Sequence, residues 1–235
     1  MEAIKQFLVA LDFTESDQNL FRYARYLAHI AEPENIHFVH VLKADYAPGT
    51  MERLYVERQV SDFFADNKTT YTVSIPTGQP FEEILRYSEQ NSSDLIIVGE
   101  KQDRKSSGII PSKLSRQAGC SVLYVPDSRK EAIIDNVLIP LDFSSYSDLA
   151  IDFAEELNRK ANIKKFYLQH TYQAIPSYNM MKTYEQMRST MEANAREAYD
   201  RYMSRRKPDI SSAKIQPLYT LDEKNSPAYH IHEEA

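Results

Sequence analysis

The sequence predicts an α/β protein in which strands and helices alternate along the chain. Continuous apolar runs, such as those in Lys5–Leu11 and Leu95–Val98, are typical of strands buried on both faces of a parallel sheet. The segments between these runs place apolar residues at the i, i+3, i+4 spacing of amphipathic helices. Because the alternation continues as far as Pro126, we expect a right-handed, parallel domain with three layers.

The first half of the chain divides into five predicted strands and four predicted helices. The strands are Lys5–Leu11, Ile36–Val41, Tyr71–Ile75, Leu95–Val98 and Val122–Val125, and the helices are 20–31, Met51–Phe64, a third that opens at Pro80 and a short fourth after Gly108. Gly99 is expected to end the fourth strand and Pro126 the fifth. Ligands of α/β sheets lie beyond the carboxyl ends of the strands, so the loop 99–108 is the first place to look for a site.

The pattern then repeats, which divides the chain into two domains. Phe7–Thr14 (FLVALDFT) is echoed 130 residues later by Val137–Ser144 (VLIPLDFS). An internal repeat of this kind predicts two copies of one structural unit. We expect the domains to be 1–127 and 133–235, joined by the linker 128–132.

The second copy is expected to have one longer helix and to be incomplete. The long helix is predicted at Tyr178–Arg206, followed by a strand at Ile215–Leu221 and a helix that opens at Ser226. Counterparts of the last two strands of the first domain would fall beyond Ala235. We therefore expect the second domain to lack these strands, and the sequence to be a piece of a longer parent.

The bulk composition restricts the class of partner. The 235 residues carry a formal net charge of −6 and no basic stripe, which disfavours nucleic acid and anionic membranes as partners. The sequence contains no apolar run long enough to span a bilayer. The single cysteine, Cys120, excludes an intrachain disulfide and a cysteine-based metal cage. Together these features indicate a cytoplasmic protein.

Four sequence motifs are informative in combination. They are LVALDFTESD and VLIPLDFSSYSD at the first strand of each copy, DLIIVG at the fourth strand, and SKLSRQAGCSVLYVP at the end of the first domain. In this combination they resemble the universal stress protein family, in its tandem form with two domains in one chain. The resemblance implies a five-stranded parallel sheet of order 3-2-1-4-5, like that of the adenine nucleotide alpha hydrolases. It also implies a cytoplasmic role in stress resistance and pairing of the two domains within the chain, and it leaves a homodimer open.

Many members of that family bind ATP, and the resemblance carries their binding residues to four positions. Asp12 matches the aspartate at the end of the first strand, and Val41 matches the contact from the second strand. Gly99 and Gly108 match the first and third glycines of the phosphate loop, whose family pattern is Gly-x2-Gly-x9-Gly-Ser/Thr.

This chain departs from the family pattern within the loop. Gln102 stands at the second glycine, Ile109 stands at the hydroxyl residue, and eight residues separate Gly99 from Gly108 where the family has twelve. Glycine is needed where the backbone approaches a phosphate closely. We therefore expect a degenerate ATP loop, which leaves ATP or AMP open as a ligand and assigns no cofactor.

Several residues at this edge keep two interpretations open. Asp12 and its counterpart Asp142 either contact a ligand or cap the helix that follows. The cations of the loop after the fourth strand either hold a phosphate or are solvated. His40 and its counterpart His170 fit a packed strand end better than a catalytic base.

No nucleophile–base pair can be assigned from the sequence, and it contains no Walker or dinucleotide-binding motif, so we predict that the protein is not an enzyme. The first interpretation is a non-catalytic stress-response or regulatory module of the cytoplasm. The alternative is an ATP- or AMP-binding protein with a sensor role or a slow ATPase activity. The sequence names neither the stress nor the partner.

Overall fold

A computed structural model describes residues 4–42, 50–65, 69–100, 109–128, 131–161, 163–173, 183–211, 214–223 and 226–234. The chain divides into two compact units, an N-terminal unit of residues 2–133 and a C-terminal unit of residues 134–235. Each unit is built around a parallel sheet of its own.

The N-terminal unit contains a five-stranded parallel sheet. Its strands are β1 (Gln6–Leu11), β2 (Asn35–His40), β3 (Thr70–Ser74), β4 (Leu95–Glu100) and β5 (Ser121–Pro126). They lie in the order β3-β2-β1-β4-β5, which confirms the predicted order 3-2-1-4-5. The central strand β1 is buried from Phe7 to Leu11, as its uninterrupted apolar run requires.

Helices cover both faces of this sheet. They are α1 (Asp17–Ala31), α2 (Thr50–Phe64), α3 (Pro80–Gln90) and α4 (Ile109–Gln117). On one face, the Phe21 ring of α1 lies 5.5 Å from the ring of Phe38 in β2 and 5.4 Å from that of Phe63 in α2. On the other face, Ile84 of α3 and Leu114 of α4 are buried in one apolar cluster with the strands. The two faces thus form two cores, and the three-layer prediction is confirmed.

The C-terminal unit contains a smaller parallel sheet. Its strands β6 (Asn136–Pro140), β7 (Lys165–Tyr172) and β8 (Ile215–Leu221) lie in the order β6-β7-β8. Its helices are α5 (Ser145–Lys160), α6 (Tyr184–Arg206) and α7 (Pro227–Glu234). The first three elements, β6, α5 and β7, are the counterparts of β1, α1 and β2, so the second copy of the repeat is seen in part.

The end of β4 differs from the sequence prediction. Gly99 does not end the strand, because Gly99 pairs with Val125 and Glu100 pairs with Pro126 of β5. Pro126 is tolerated as the last residue of a strand because β5 lies at the edge of its sheet.

The long helix α6 begins at Tyr184 with a capping box. Thr183 has an extended backbone, with ψ at 159°, and its hydroxyl accepts a hydrogen bond from the Gln186 N–H while the Gln186 side chain accepts one from the Thr183 N–H. The earlier part of the predicted helix, 178–182, lies outside the described residues. Although α6 has 23 residues, neither it nor any other helix in the described part of the chain is apolar enough to cross a membrane.

Candidate functional site

Three strands of the N-terminal sheet end side by side at its carboxyl edge. β1 is hydrogen-bonded to β2 on one side and to β4 on the other. Asp12 and Val41 directly follow β1 and β2, and Gly99 is the last but one residue of β4. The connection after β1 leads to β2 on one side and the connection after β4 leads to β5 on the other, so the β1–β4 boundary is the switch point where α/β folds bind ligands. Three of the four predicted binding residues thus lie at one edge, whereas Gly108 and the basic loop 101–107 lie outside the described residues.

The Asp12 side chain is engaged by the turn that leads into α1. Its Oδ1 accepts hydrogen bonds from the Thr14 backbone N–H at 3.1 Å and from the Thr14 hydroxyl at 2.6 Å. A bond from an aspartate to the backbone two residues later is the Asx turn that often precedes a helix. Asp12 therefore has a structural role in this turn, even though it lies at the predicted ligand edge.

A second carboxyl group, Asp17, lies beneath the same turn. Asp17 is only 2% exposed, and its two oxygens accept hydrogen bonds from the backbone N–H groups of Asp12 at 3.2 Å and Phe13 at 2.9 Å. Burial raises the pKa of Asp17 from 3.8 to about 7, in opposition to these two hydrogen bonds, and the charge of Asp12 also raises it. This edge of the sheet therefore holds two carboxyl groups, one of which changes its protonation near neutral pH.

Phe13 and His40 form an aromatic stack beside Asp12. The two ring centroids are 3.7 Å apart and the planes are inclined by 10°. Phe13 has a left-handed backbone with φ at 59°, which costs a non-glycine residue on the order of 1–3 kcal/mol. The His40 Nδ1 lies 2.9 Å from the Leu11 carbonyl oxygen. Because a carbonyl can only accept, Nδ1 carries the proton and donates it, and His40 is confirmed as a packed strand-end residue.

The fold itself does not require glycine at position 99. The Gly99 backbone is not in the left-handed region, and an added Cβ would meet the Leu20 side chain at the ordinary van der Waals distance of 3.9–4.0 Å. Glycine in a strand is otherwise unfavourable because it lacks a side chain to pack and loses more conformational entropy.

The C-terminal unit repeats the turn with one exchange of residue type. Asp142 Oδ1 accepts hydrogen bonds from the Ser144 N–H at 2.9 Å and the Ser144 hydroxyl at 2.6 Å. Ser147 takes the place of Asp17, because its hydroxyl oxygen lies 3.0 and 3.1 Å from the N–H groups of Asp142 and Phe143 and accepts from them. The same hydroxyl donates to Asp142 Oδ1 at 2.8 Å. The hydrogen bonds from Ser144, and then that from Ser147, lower the pKa of Asp142 to about 2.

A tilted contact between the corresponding rings takes the place of the aromatic stack in the C-terminal unit, with the two planes inclined by 32°. Phe143 has φ at 64°, and its ring centroid is 4.3 Å from that of His170. The His170 Nδ1 donates to the Leu141 carbonyl oxygen at 2.9 Å. Sequence reasoning missed this Phe–His contact in both units, although the signal was present in the Asp-Phe pair and the histidine that recur at one offset. It also missed Asp17, whose burial depends on packing that a single sequence does not reveal.

The described residues contain no group of three or more His, Cys, Asp or Glu side chains placed to hold a metal ion. Cys120 is half-buried, and burial raises the pKa of its thiol above the ordinary value. A reactive cysteine needs a lowered pKa, so Cys120 is not poised as a nucleophile.

Comparison with known proteins identifies the family. A model of the universal stress protein family matches residues 3–126, which is more than half of the chain. The matched segment contains the whole five-stranded sheet and the edge described above. The chain belongs to the universal stress protein family. No curated protein sequence matches it significantly.

Solved structures resemble this chain at low sequence identity, and two of those that follow share the fold at TM-scores above 0.6. A universal stress protein from Archaeoglobus fulgidus is 16% identical, and the match covers 100% of this chain and 83% of that one with a TM-score of 0.66. A protein of unknown function from Pseudomonas aeruginosa is 16% identical, with 92% and 74% of the two chains covered and a TM-score of 0.68. A universal stress protein in complex with cAMP is 20% identical over 54% of this chain and 100% of its own, with a TM-score of 0.45.

Proposed function

We propose that the protein is a non-catalytic stress-response or regulatory module of the cytoplasm, built on the universal stress protein fold with a degenerate ATP loop. The observation that carries this proposal is the use of both strand-end aspartates in structural turns. The Asp12 side chain accepts hydrogen bonds from Thr14, and the Asp142 side chain accepts hydrogen bonds from Ser144 and Ser147.

The protonation of these groups supports a role without catalysis. A general base works best when its pKa lies near the working pH and its oxygen can reach a substrate. With a pKa of about 2, Asp142 is a weak base. Asp17 has a pKa of about 7, but it is 2% exposed and its oxygens face backbone N–H groups.

In the N-terminal unit, the carboxyl groups of Asp12 and Asp17 oppose tight binding of a polyphosphate. A polyphosphate bound at this edge would add negative charge to a unit end that already holds Asp12 and the partly ionised Asp17, and like charges repel. The sequence replaces one loop glycine by Gln102 and the hydroxyl residue by Ile109, which removes groups that would compensate for this repulsion.

The alternative function, binding of ATP or AMP in a sensor role with or without slow hydrolysis, is favoured by Gly99. Neither the backbone conformation nor the packing calls for glycine at that position, and it lies at the switch point of the sheet. Close approach of a phosphate to the backbone is one reason for a glycine there.

Thermal unfolding with and without nucleotide separates these two functions. A ligand that binds only the folded state stabilises it by about 2.7 kcal/mol at a hundredfold excess over Kd. We expect millimolar ATP or AMP to leave the Tm unmoved. A large shift that is lost in Gly99→Ala, but kept in the control Gly119→Ala, would overturn the main proposal in favour of the alternative. Gly119 is a suitable control because an added Cβ there would have no heavy atom within 4 Å.

We also propose that the two units pair within one chain and that nucleic acid and membranes are not partners. The internal repeat supports pairing of the two units. The net charge of −6 supports the exclusion of nucleic acid and anionic membranes. Light scattering coupled to size exclusion should then give the mass of a monomer. A dimer would instead assign the pairing surface to a second copy of the chain.

A further inference from the structure

The two sheets differ in what lies beside their corresponding first strands. In the N-terminal unit, β1 pairs with β2 on one side and with β4 on the other. In the C-terminal unit, the counterpart strand β6 pairs with β7 and forms the edge of the sheet within the described residues. An apolar edge strand is a ready template for pairing with another strand.

The backbone of β6 presents hydrogen-bonding groups at this edge. The Leu141 N–H donates to the Gln169 carbonyl of β7 at 2.7 Å, and successive residues of a strand point their backbone groups to opposite sides. The N–H and carbonyl of Leu138, three residues earlier, therefore face away from β7. The N-terminal unit shows the same parity, because the Gln6 carbonyl accepts from the Asp94 N–H at 2.9 Å at the start of β4.

A cavity of about 380 Å³ lies beside the β6 edge. Three of its lining residues correspond to members of the apolar cluster of the N-terminal unit, namely Pro140 to Ala10, Gln169 to Val39 and Ile231 to Ile84. In the N-terminal unit this cluster is completed by Val98 of β4 and Leu114 of α4. The cavity thus adjoins the place that a strand and a helix fill in the other unit, and it extends to Asp142 and Thr171 at the carboxyl edge, the counterparts of Asp12 and Val41.

Gln169 indicates the chemistry of what fills the cavity. The residue is 1% exposed, and its Nε2 donates to the Thr220 hydroxyl at 3.0 Å and to the His230 carbonyl at 3.4 Å. Because the His230 carbonyl can only accept, the Gln169 amide nitrogen points toward Thr220 and His230, and Oε1 points the opposite way. Oε1 is buried and has no hydrogen-bond partner among the described residues. An unpaired buried acceptor is rare and costly, and the counterpart Val39 shows that the fold accepts an apolar residue here.

We propose that the β6 edge and the adjoining cavity bind a further polypeptide segment of the β4–α4 type. An apolar extended strand pairs in parallel with β6, and the helix that follows it lies over the cavity and brings a hydrogen-bond donor to Gln169 Oε1. The lining residues include one carboxylate, Asp142, and no lysine or arginine, so the cavity does not suit a phosphate. Docking of a segment here is independent of nucleotide binding by the N-terminal unit.

The test uses the full chain and a labelled synthetic peptide of residues 94–117, which contains this protein's own β4 and α4 segments. Fluorescence anisotropy measures its binding, and hydrogen exchange locates it. We expect saturable binding that protects the β6 amides, and no binding of a scrambled peptide. Absence of binding, or protection elsewhere than at β6, would overturn the proposal.

A paired substitution tests the role of Gln169. The proposal calls for a hydrogen-bond donor opposite Gln169 Oε1, and the peptide is apolar at that place. The chain with Gln169→Val, which copies Val39, should therefore bind the peptide at least about fivefold more tightly than the wild-type chain. A peptide with Leu114→Asn should reverse this preference and favour the wild-type chain. Equal affinities in all four combinations would show that Gln169 does not select the occupant.

A backbone substitution tests the strand pairing. Pro140 faces the same open edge and has no N–H, so Leu138 is the neighbouring donor on that side. Leu138→Pro removes this donor and leaves the hydrogen bonds to β7 in place, so it should abolish binding while the circular dichroism spectrum is retained. If this variant binds like the wild type, the docking geometry is wrong. If it does not fold, the Gln169 comparison decides the question. A concentration-dependent dimer that the peptide does not dissociate would assign the edge to a second copy instead.

Discussion

The replacement Asp17→Ser should remove a pH-dependent loss of stability from the N-terminal unit. The C-terminal unit already has serine at the counterpart position, where Ser147 accepts the same two backbone hydrogen bonds, so the variant is expected to fold. The pKa of Asp17 is about 7 in the folded protein against an ordinary 3.8. Between these values the folded state binds more protons than the unfolded state, so the free energy of unfolding falls as the pH rises through this window.

The size of the effect follows from the two pKa values. A pKa of about 7 against 3.8 corresponds to about 4 kcal/mol at about 1.36 kcal/mol per pKa unit. About 3 kcal/mol of this is lost between pH 5 and pH 8, since the window closes at the folded pKa. Below pH 4 and above pH 8, Asp17 adds no further pH dependence.

Urea denaturation at pH 5 and pH 8, followed by circular dichroism, measures this loss. The wild type should lose about 3 kcal/mol more than Asp17→Ser over this interval, and the reverse exchange Ser147→Asp should add a similar dependence to the C-terminal unit. The reasoning is refuted if the wild type and Asp17→Ser show the same dependence on pH, because other groups would then be responsible.

Three further substitutions test the packing and the edge, with urea denaturation as the measurement. Phe21→Ala should lower the free energy of unfolding by about 3–5 kcal/mol because the ring is fully buried. Leu149→Ala, at a site 51% exposed, should lower it by about 0.5 kcal/mol or less. Equal losses would contradict the assignment of Phe21 to the core. Arg206→Met should cost about 2–3 kcal/mol because the Arg206 side chain is 18% exposed and ion-paired with three acidic residues of α5. The control is Arg201→Met, which breaks an exposed ion pair. If Arg206→Met costs no more than this control, the network does not stabilise the fold. Gly99→Ala should raise stability by about 0.5–1 kcal/mol, and a clear loss would show that the fold does require this glycine.

The strand order and the layers could be predicted because they depend on patterns that are local or repeated. Buried runs such as Leu95–Val98 identify the strands, and the repeat of residues 7–14 at 137–144 identifies the second copy. The predicted start of α6 at Tyr178 overlooks a local signal, since Thr183 and Gln186 have the spacing of a capping box that begins the helix at Tyr184.

The turn at the sheet edge could not be predicted in the same way because its energetics are non-local. Phe13 combines a left-handed backbone with a ring that stacks on His40, which lies on another strand. Asp17 has a raised pKa because of burial, which the sequence does not show. The end of β4 was misplaced for the same reason, since Gly99 remains in the strand through its pairing with Val125 of β5.

Hydrolysis of ATP tests most directly the central claim that the strand-end aspartates form turns and not a catalytic site. The measurement is phosphate release by the purified chain, compared with Asp12→Asn. The asparagine keeps an oxygen that can accept from Thr14, so this variant removes the charge and retains the turn. We predict no phosphate release above a protein-free blank for either protein. Turnover by the wild type that Asp12→Asn abolishes, at an unchanged Tm, would contradict the claim.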